Sequence, residues 1–290
     1  MSTKTFSRII AGTMSWGGWG KQLSSKKMIE LIEYCLNLGI TTFDHADIYG
    51  GYTTESEFGK ALKEGRFVRE HIQLISKCGI QYVTESRNNS VKHYNYDKDY
   101  IIWSVDKSLK NLRTDYLDLL LLHRPSPLMR PDTISEAISS LKNQGKIKAF
   151  GVSNFTNSQM TLIGSKTGIE VNQIEFSITQ YQAMNNGILD YMTVHDILPM
   201  AWSPMGDVFK KDTEQTRRIH RQLGKLLGKY QSTEDQLLLA WIMKHPSRIH
   251  PVIGTTNKKR LDQAIQATSM DLELEDWFKI LIASQGHKVP

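Results

Sequence analysis

Eight short apolar runs, each followed by a stretch with helical periodicity, recur along the chain, and that alternation limits the fold more than any other feature. The runs cover residues 8–11, 41–44, 72–76, 116–122, 147–152, 170–174, 198–202 and 250–253. Amphipathic stretches lie between them, among them residues 25–38, 55–62, 98–112, 133–143 and 157–163. A strand that returns to its neighbour through a helix runs parallel to it, and eight such units close into a barrel more readily than they spread into an open sheet. Nothing interrupts the pattern, so residues 1–290 are expected to form one (β/α)8 TIM barrel, a single α/β domain.

Local chemistry supports the helix boundaries. Ser24 or Ser25, Asp132 and Asn157 each precede an apolar period and are expected to accept an amide hydrogen bond as helix caps. Gly39, Gly145 and Gly168 follow such periods, where a left-handed residue ends a helix at little cost. Residues 81–97 and 205–213 are polar and unpatterned, and are expected to be long loops at the catalytic end of the barrel.

The net charge of +6 would suit a polyanion, but it is spread along the chain; Lys258, Lys259 and Arg260 come nearest to a cluster. Nucleic-acid binding is therefore not expected. Cys35 and Cys78 have neither metal-ligand nor disulfide-framework spacing and read as small buried thiols. No apolar run reaches membrane-spanning length, and MSTKTFSRIIAG has no signal-like apolar core, so the expectation is a cytoplasmic chain with no membrane partner. Nothing in the sequence sets an oligomeric state.

Chemistry concentrates where the apolar runs end. FDHADIYGG places Asp44 at the end of the second run and Tyr49 on the loop beyond it. ISKCG places Lys77 after the third, and LLLLHRP places His123 after the fourth. In a parallel barrel the carboxyl ends of the strands carry the site. A phenol, an ammonium, a carboxylate and an imidazole brought together there can protonate a carbonyl oxygen while a separate donor supplies hydride. Tyr49 is the expected general acid, Lys77 is expected to lower its pKa, Asp44 to hold Lys77 charged, and His123 to orient the carbonyl. The partner is then a small carbonyl substrate, with Trp16, Tyr49, His123 and Arg124 as candidate contacts and Trp19 and Tyr52 beside them.

These segments, with GKIKAFGVSNF, VNQIEFS and MAWSPMG in the same order, resemble the aldo-keto reductase family over nearly the whole chain. The wording DHADIYGGY and HRPSPLM is most similar to its bacterial YdhF-type oxidoreductases. The resemblance implies NADP(H) as cofactor and puts the family's catalytic tetrad on Asp44, Tyr49, Lys77 and His123. It implies that Ser153, Asn154 and Gln173 hold the nicotinamide carboxamide and that Trp202 stacks on the ring. Gly12, Thr13 and Met14 after the first strand, Asp44, and Ser203, Pro204, Met205 and Gly206 after the seventh are implied to line the same cofactor. Beyond the last strand, Gly254, Thr255, Asn257, Arg260 and Gln263 fall where the family binds the adenosine end. Gly254 departs from the lysine many relatives carry there, a loss that Lys258 or Lys259 could offset.

Other readings explain less. GGWG at residues 17–20 neither follows a strand in frame nor opens a helix, so a dinucleotide phosphate loop of Rossmann type fails. No cluster has zinc spacing, so no metal is expected. A Schiff-base aldolase using Lys77 leaves GVSNF and Arg260 unexplained. A nucleotide-binding accessory subunit with residual reductase activity is the alternative function.

Overall fold

A computed structural model describes residues 6–290. Residues 1–5, the start of the segment read above for a leader, lie outside the described residues. Ten strands follow in chain order: β1 (Ile10–Gly12), β2 (Thr42–Asp44), β3 (Gln73–Cys78), β4 (Ile80–Gln81), β5 (His93–Tyr94), β6 (Leu117–Leu122), β7 (Ile147–Ser153), β8 (Val171–Glu175), β9 (Leu198–Trp202) and β10 (His250–Ile253). Eight of them close a parallel barrel in the order β1-β10-β9-β8-β7-β6-β3-β2. The expected barrel is present, and each expected strand overlaps an observed one. The first begins later than expected, at Ile10, because Arg8 is turned away to donate to the carbonyls of Met243, Arg248 and Ile249.

Strand periodicity separates two cores, since alternate side chains point to opposite faces. Ile10, Ile75, Leu119, Leu121, Ala149, Val171, Met200 and Val252 fill the barrel interior together with Phe6. The opposite faces pack with the helices in a larger apolar shell, which includes Cys35 and Cys78. Gly151 is needed at its place in β7, where an added Cβ would come within 2.5 Å of the Val171 carbonyl oxygen and 2.8 Å of Leu121.

The helix ends correct the sequence reading in part. Ser24 caps the helix Ser25–Asn37 as expected. Thr156, not Asn157, caps Asn157–Gly164, because Gln159 answers it in a capping box. Asp132 lies inside the first turn of Pro131–Asn143, since Pro131 opens the helix one residue earlier. Gly39 and Gly145 have φ of 77° and 71°, whereas Gly168 is not left-handed.

Residues 81–97 are more ordered than an unpatterned loop. β4 and β5 form an antiparallel pair, with Ile80 opposite Tyr94 and Gln81 opposite His93. The Arg87 guanidinium lies over the rings of Tyr52 and Trp103, at 4.2 and 4.6 Å, and clamps the hairpin to the barrel. The second expected loop, residues 205–213, is free of helix and strand and leads into the helix Glu214–Tyr230. No helix among the described residues is long and apolar enough to cross a membrane.

Candidate active site

The alternation that fills the barrel interior also sets the site above it. Two residues beyond Ile75, on the same face, is Lys77; beyond Leu121 is His123, beyond Val171 Gln173, and beyond Met200 Trp202. Each apolar layer is thus capped by a polar or aromatic residue at the carboxyl end of its strand. Asp44 ends β2 opposite Ile75 of β3, and Lys77 lies opposite Leu121 of β6. His123 extends the β6 ladder by donating its amide to the Cys78 carbonyl at 2.9 Å.

Lys77 is the hub and is 1% exposed. Its Nζ is 2.8 Å from both Asp44 carboxylate oxygens and from the His45 carbonyl, and 3.1 Å from the Tyr49 hydroxyl. Its three ammonium hydrogens are fully engaged by these neighbours. Because Lys77 donates to the Tyr49 oxygen, the phenolic proton is left for another acceptor. The His123 ring stands edge-on to the Tyr49 ring, centroids 6.1 Å apart. All four expected residues come together.

Burial sets their charge states. It opposes the Lys77 charge, but the Asp44 carboxylate and Tyr49 more than offset it, and the lysine pKa is raised. Burial likewise raises the Tyr49 pKa, with Lys77 pulling down and Asp44 pushing up. The expected lowering by Lys77 is therefore present but outweighed, and the phenol of the protein alone stays protonated. His123 is pushed well below its ordinary value by burial, then by Lys77, Arg124 and Lys92, and is a neutral imidazole.

A second network joins this hub to the opposite wall. Gln173 Nε2 donates to Asp44 Oδ1 at 2.9 Å, and the Ser153 hydroxyl donates to the Gln173 carbonyl at 2.9 Å. Asn154 Nδ2 donates to Ser153 at 2.8 Å, and the Trp202 indole donates to Asn154 Oδ1 at 2.9 Å. The half-buried indole is thereby fixed in orientation at the mouth.

A family model described as "Aldo/keto reductase family" matches residues 8–283. The chain belongs to that family. It is 42% identical to "Uncharacterized oxidoreductase YcsN" of Bacillus subtilis, over 98% of this chain and 96% of the relative. It is 38% identical to "Oxidoreductase YdhF" of Escherichia coli over the same shares. The "6-dehydroglucose reductase" of Agrobacterium fabrum is 38% identical over 89% of this chain and 88% of its own length. Among solved structures, the thermostable aldo-keto reductase Tm1743 in complex with the inhibitor epalrestat superposes with a TM-score of 0.82 at 26% identity, covering 97% of each chain. Membership makes the chain an oxidoreductase of the aldo/keto reductase type.

In this aldo-keto reductase the helix Lys258–Gln266 follows β10 and opens with Lys258, Lys259 and Arg260, with no acidic residue in its first turn. Three cations at the positive end of a helix dipole are unfavourable unless an anion joins them. Asn257 caps the helix by accepting the Arg260 amide, and Thr255 accepts the Asn257 amide. Arg260 is exposed and Gln263 half-buried, while Gly254 stands open at the strand end. Lys258 lies over the Tyr34 ring at 4.9 Å, and Lys259 is exposed beside it.

One expected substrate contact is corrected. Trp16 is 1% exposed and packs against Phe43 and Phe58 in the apolar shell, not at the mouth. Trp19, 43% exposed and against Tyr49 and Tyr82, stands at the mouth instead. Tyr52, expected beside it, anchors the hairpin by accepting the Tyr82 amide at 2.9 Å. Thr13 is buried, its hydroxyl bonded to the Asp44 carbonyl and near His45 Nδ1, so its side chain braces the floor; Gly12 is buried and Met14 is exposed. Ser203, Met205 and Gly206 are half-buried beside Trp202, and Pro204 is buried. The sequence reading offered residues 81–97 as a long loop at the catalytic end without singling out Tyr82 and Lys92, which the hairpin brings to the mouth, and it missed the buried carboxyls Asp47 and Glu55.

Proposed function

We propose that this chain reduces aldehyde and ketone carbonyls to alcohols with NADPH, Tyr49 giving the proton. The reading rests on Lys77, bonded at once to Asp44 and to the oxygen of a protonated Tyr49 at the carboxyl ends of the strands. When bound, NADPH supplies a hydride for the carbonyl carbon. The Tyr49 proton goes to the carbonyl oxygen, and the phenolate left behind is stabilised by the Lys77 ammonium 3.1 Å away. Asp44 keeps Lys77 charged and in place, and neutral His123 offers an N–H to the same carbonyl oxygen.

The residues present fit that cofactor. Ser153, Asn154 and Gln173 form one hydrogen-bonded wall ending on the Trp202 indole, a flat face for an aromatic ring. The basic first turn at Lys258–Arg260 suits the additional phosphate that distinguishes NADPH from NADH. The test is consumption of NADPH with a reactive aromatic aldehyde by the protein and by Tyr49→Phe. Turnover should fall by about two to four orders of magnitude in the variant, the usual worth of a general acid, while NADPH still binds. NADPH binding without turnover by either protein would favour an accessory subunit instead.

A further inference from the structure

The mouth above the tetrad is walled by aromatic rings. Trp19 lies 5.8 Å from Tyr82 and 6.1 Å from Tyr49, and Trp202 stands on the other side. Two cations stand among these rings. Arg124, next to His123, has its guanidinium carbon 5.5 Å from the Trp202 centroid. Lys92, from the hairpin, has its ammonium 5.5 Å from the Tyr82 centroid. Arg124 adjoins His123 in the chain, and Lys92 is joined to it by the run of rings Tyr82, Trp19 and Tyr49, the last standing 6.1 Å from the His123 ring, so the two cations face the reacting centre from two walls of the mouth.

Neither cation has a carboxylate partner among the described residues, although many other lysines and arginines do, Lys98, Lys146 and Arg217 among them. The nearby carboxylate, Asp44, is engaged by Lys77 and Gln173. A substrate that displaces water from the mouth would leave these two charges facing it unpaired, which is unfavourable unless the substrate brings the counter-charge.

We propose that the natural substrate is a carbonyl compound carrying an anionic group (carboxylate, sulfonate or phosphate), gripped by Arg124 and Lys92 while Trp19 and Tyr82 flank its carbon skeleton. This rests on the reductase reading above. Arg124 presents a fork suited to two oxygens of one anion, and Lys92 a compact charge on the hairpin.

The test compares para-carboxybenzaldehyde with its neutral methyl ester, using NADPH, for the protein and for Arg124→Met, Lys92→Met and Arg124→Lys. The carboxylate should be preferred by about tenfold in kcat/KM, mainly through KM, and the preference should shrink as salt rises. Each methionine variant should bring the ratio to within about twofold of unity, and Arg124→Lys should retain part of the preference. Sulfonate- and phosphate-bearing benzaldehydes then separate the anion types by their own ratios. A ratio near unity in the unmodified protein, or one unmoved by both methionine variants, overturns the proposal, as does a preference for the ester over all the anions. If neither aldehyde consumes NADPH, the reductase reading itself fails and the proposal falls with it; turnover of the ester alone leaves that reading intact and removes only this one.

Discussion

Lys77 is an ammonium held out of water inside a barrel, tolerable because Asp44, the His45 carbonyl and Tyr49 surround it. Lys77→Met would strand the Asp44 charge and should lower unfolding free energy by about 3–5 kcal/mol in denaturant titrations. Tyr49→Phe, which removes one acceptor of several, should lower it by about 1 kcal/mol; equal losses would mean that Lys77 is not the hub of the network. Asp47 behaves differently. Burial, then Glu55, raises its pKa well above the ordinary 3.8, against Arg87 and a Ser104 hydroxyl at 3.2 Å. A carboxyl whose folded pKa is raised contributes stability fully below pH 3.8 and loses it as pH rises through the folded value. In the same titrations Asp47→Asn should therefore gain on the unmodified protein as pH rises above 3.8. A difference that stays constant with pH would show that Asp47 titrates normally. Asp44, Lys77 and His123 were legible because each closes an apolar run. Trp16 was not, since a tryptophan beside Gly17 reads alike at a rim or in a shell, and only packing on Phe43 and Phe58 decides.

Among elements, the strands were legible and the hairpin was not. Six consecutive buried residues make β6 plain, whereas β4 and β5 are two residues each, too short for a period to appear. Their order comes from the Arg87 clamp and the Tyr52 hydroxyl, contacts that no spacing encodes. The helix Lys258–Gln266 offers a prediction of its own. Its basic first turn opposes the helix dipole in the free protein. Arg260→Glu should stabilise the free protein by about 0.3–1 kcal/mol, yet weaken NADPH binding by about tenfold or more with little change for NADH. Fluorescence titration with both nucleotides checks this; parallel weakening would mean that Arg260 does not read the extra phosphate.

For the whole molecule, closure was legible because eight alternations leave few other ways to bury eight apolar strands. The site follows from closure: the strand period that fills the interior with Ile75, Leu121, Val171 and Met200 delivers Lys77, His123, Gln173 and Trp202 one layer higher. What no sequence pattern carries is the balance of burial against charge, which leaves Tyr49 protonated despite Lys77. The most direct measurement supplies NADPH dideuterated at the nicotinamide C4 with an aromatic aldehyde and follows the alcohol by mass spectrometry, for the protein and for Tyr49→Phe. One deuterium on the carbinol carbon is expected from the unmodified protein and almost none from the variant; alcohol without deuterium, or equal yields from both proteins, would contradict hydride transfer with Tyr49 as the acid.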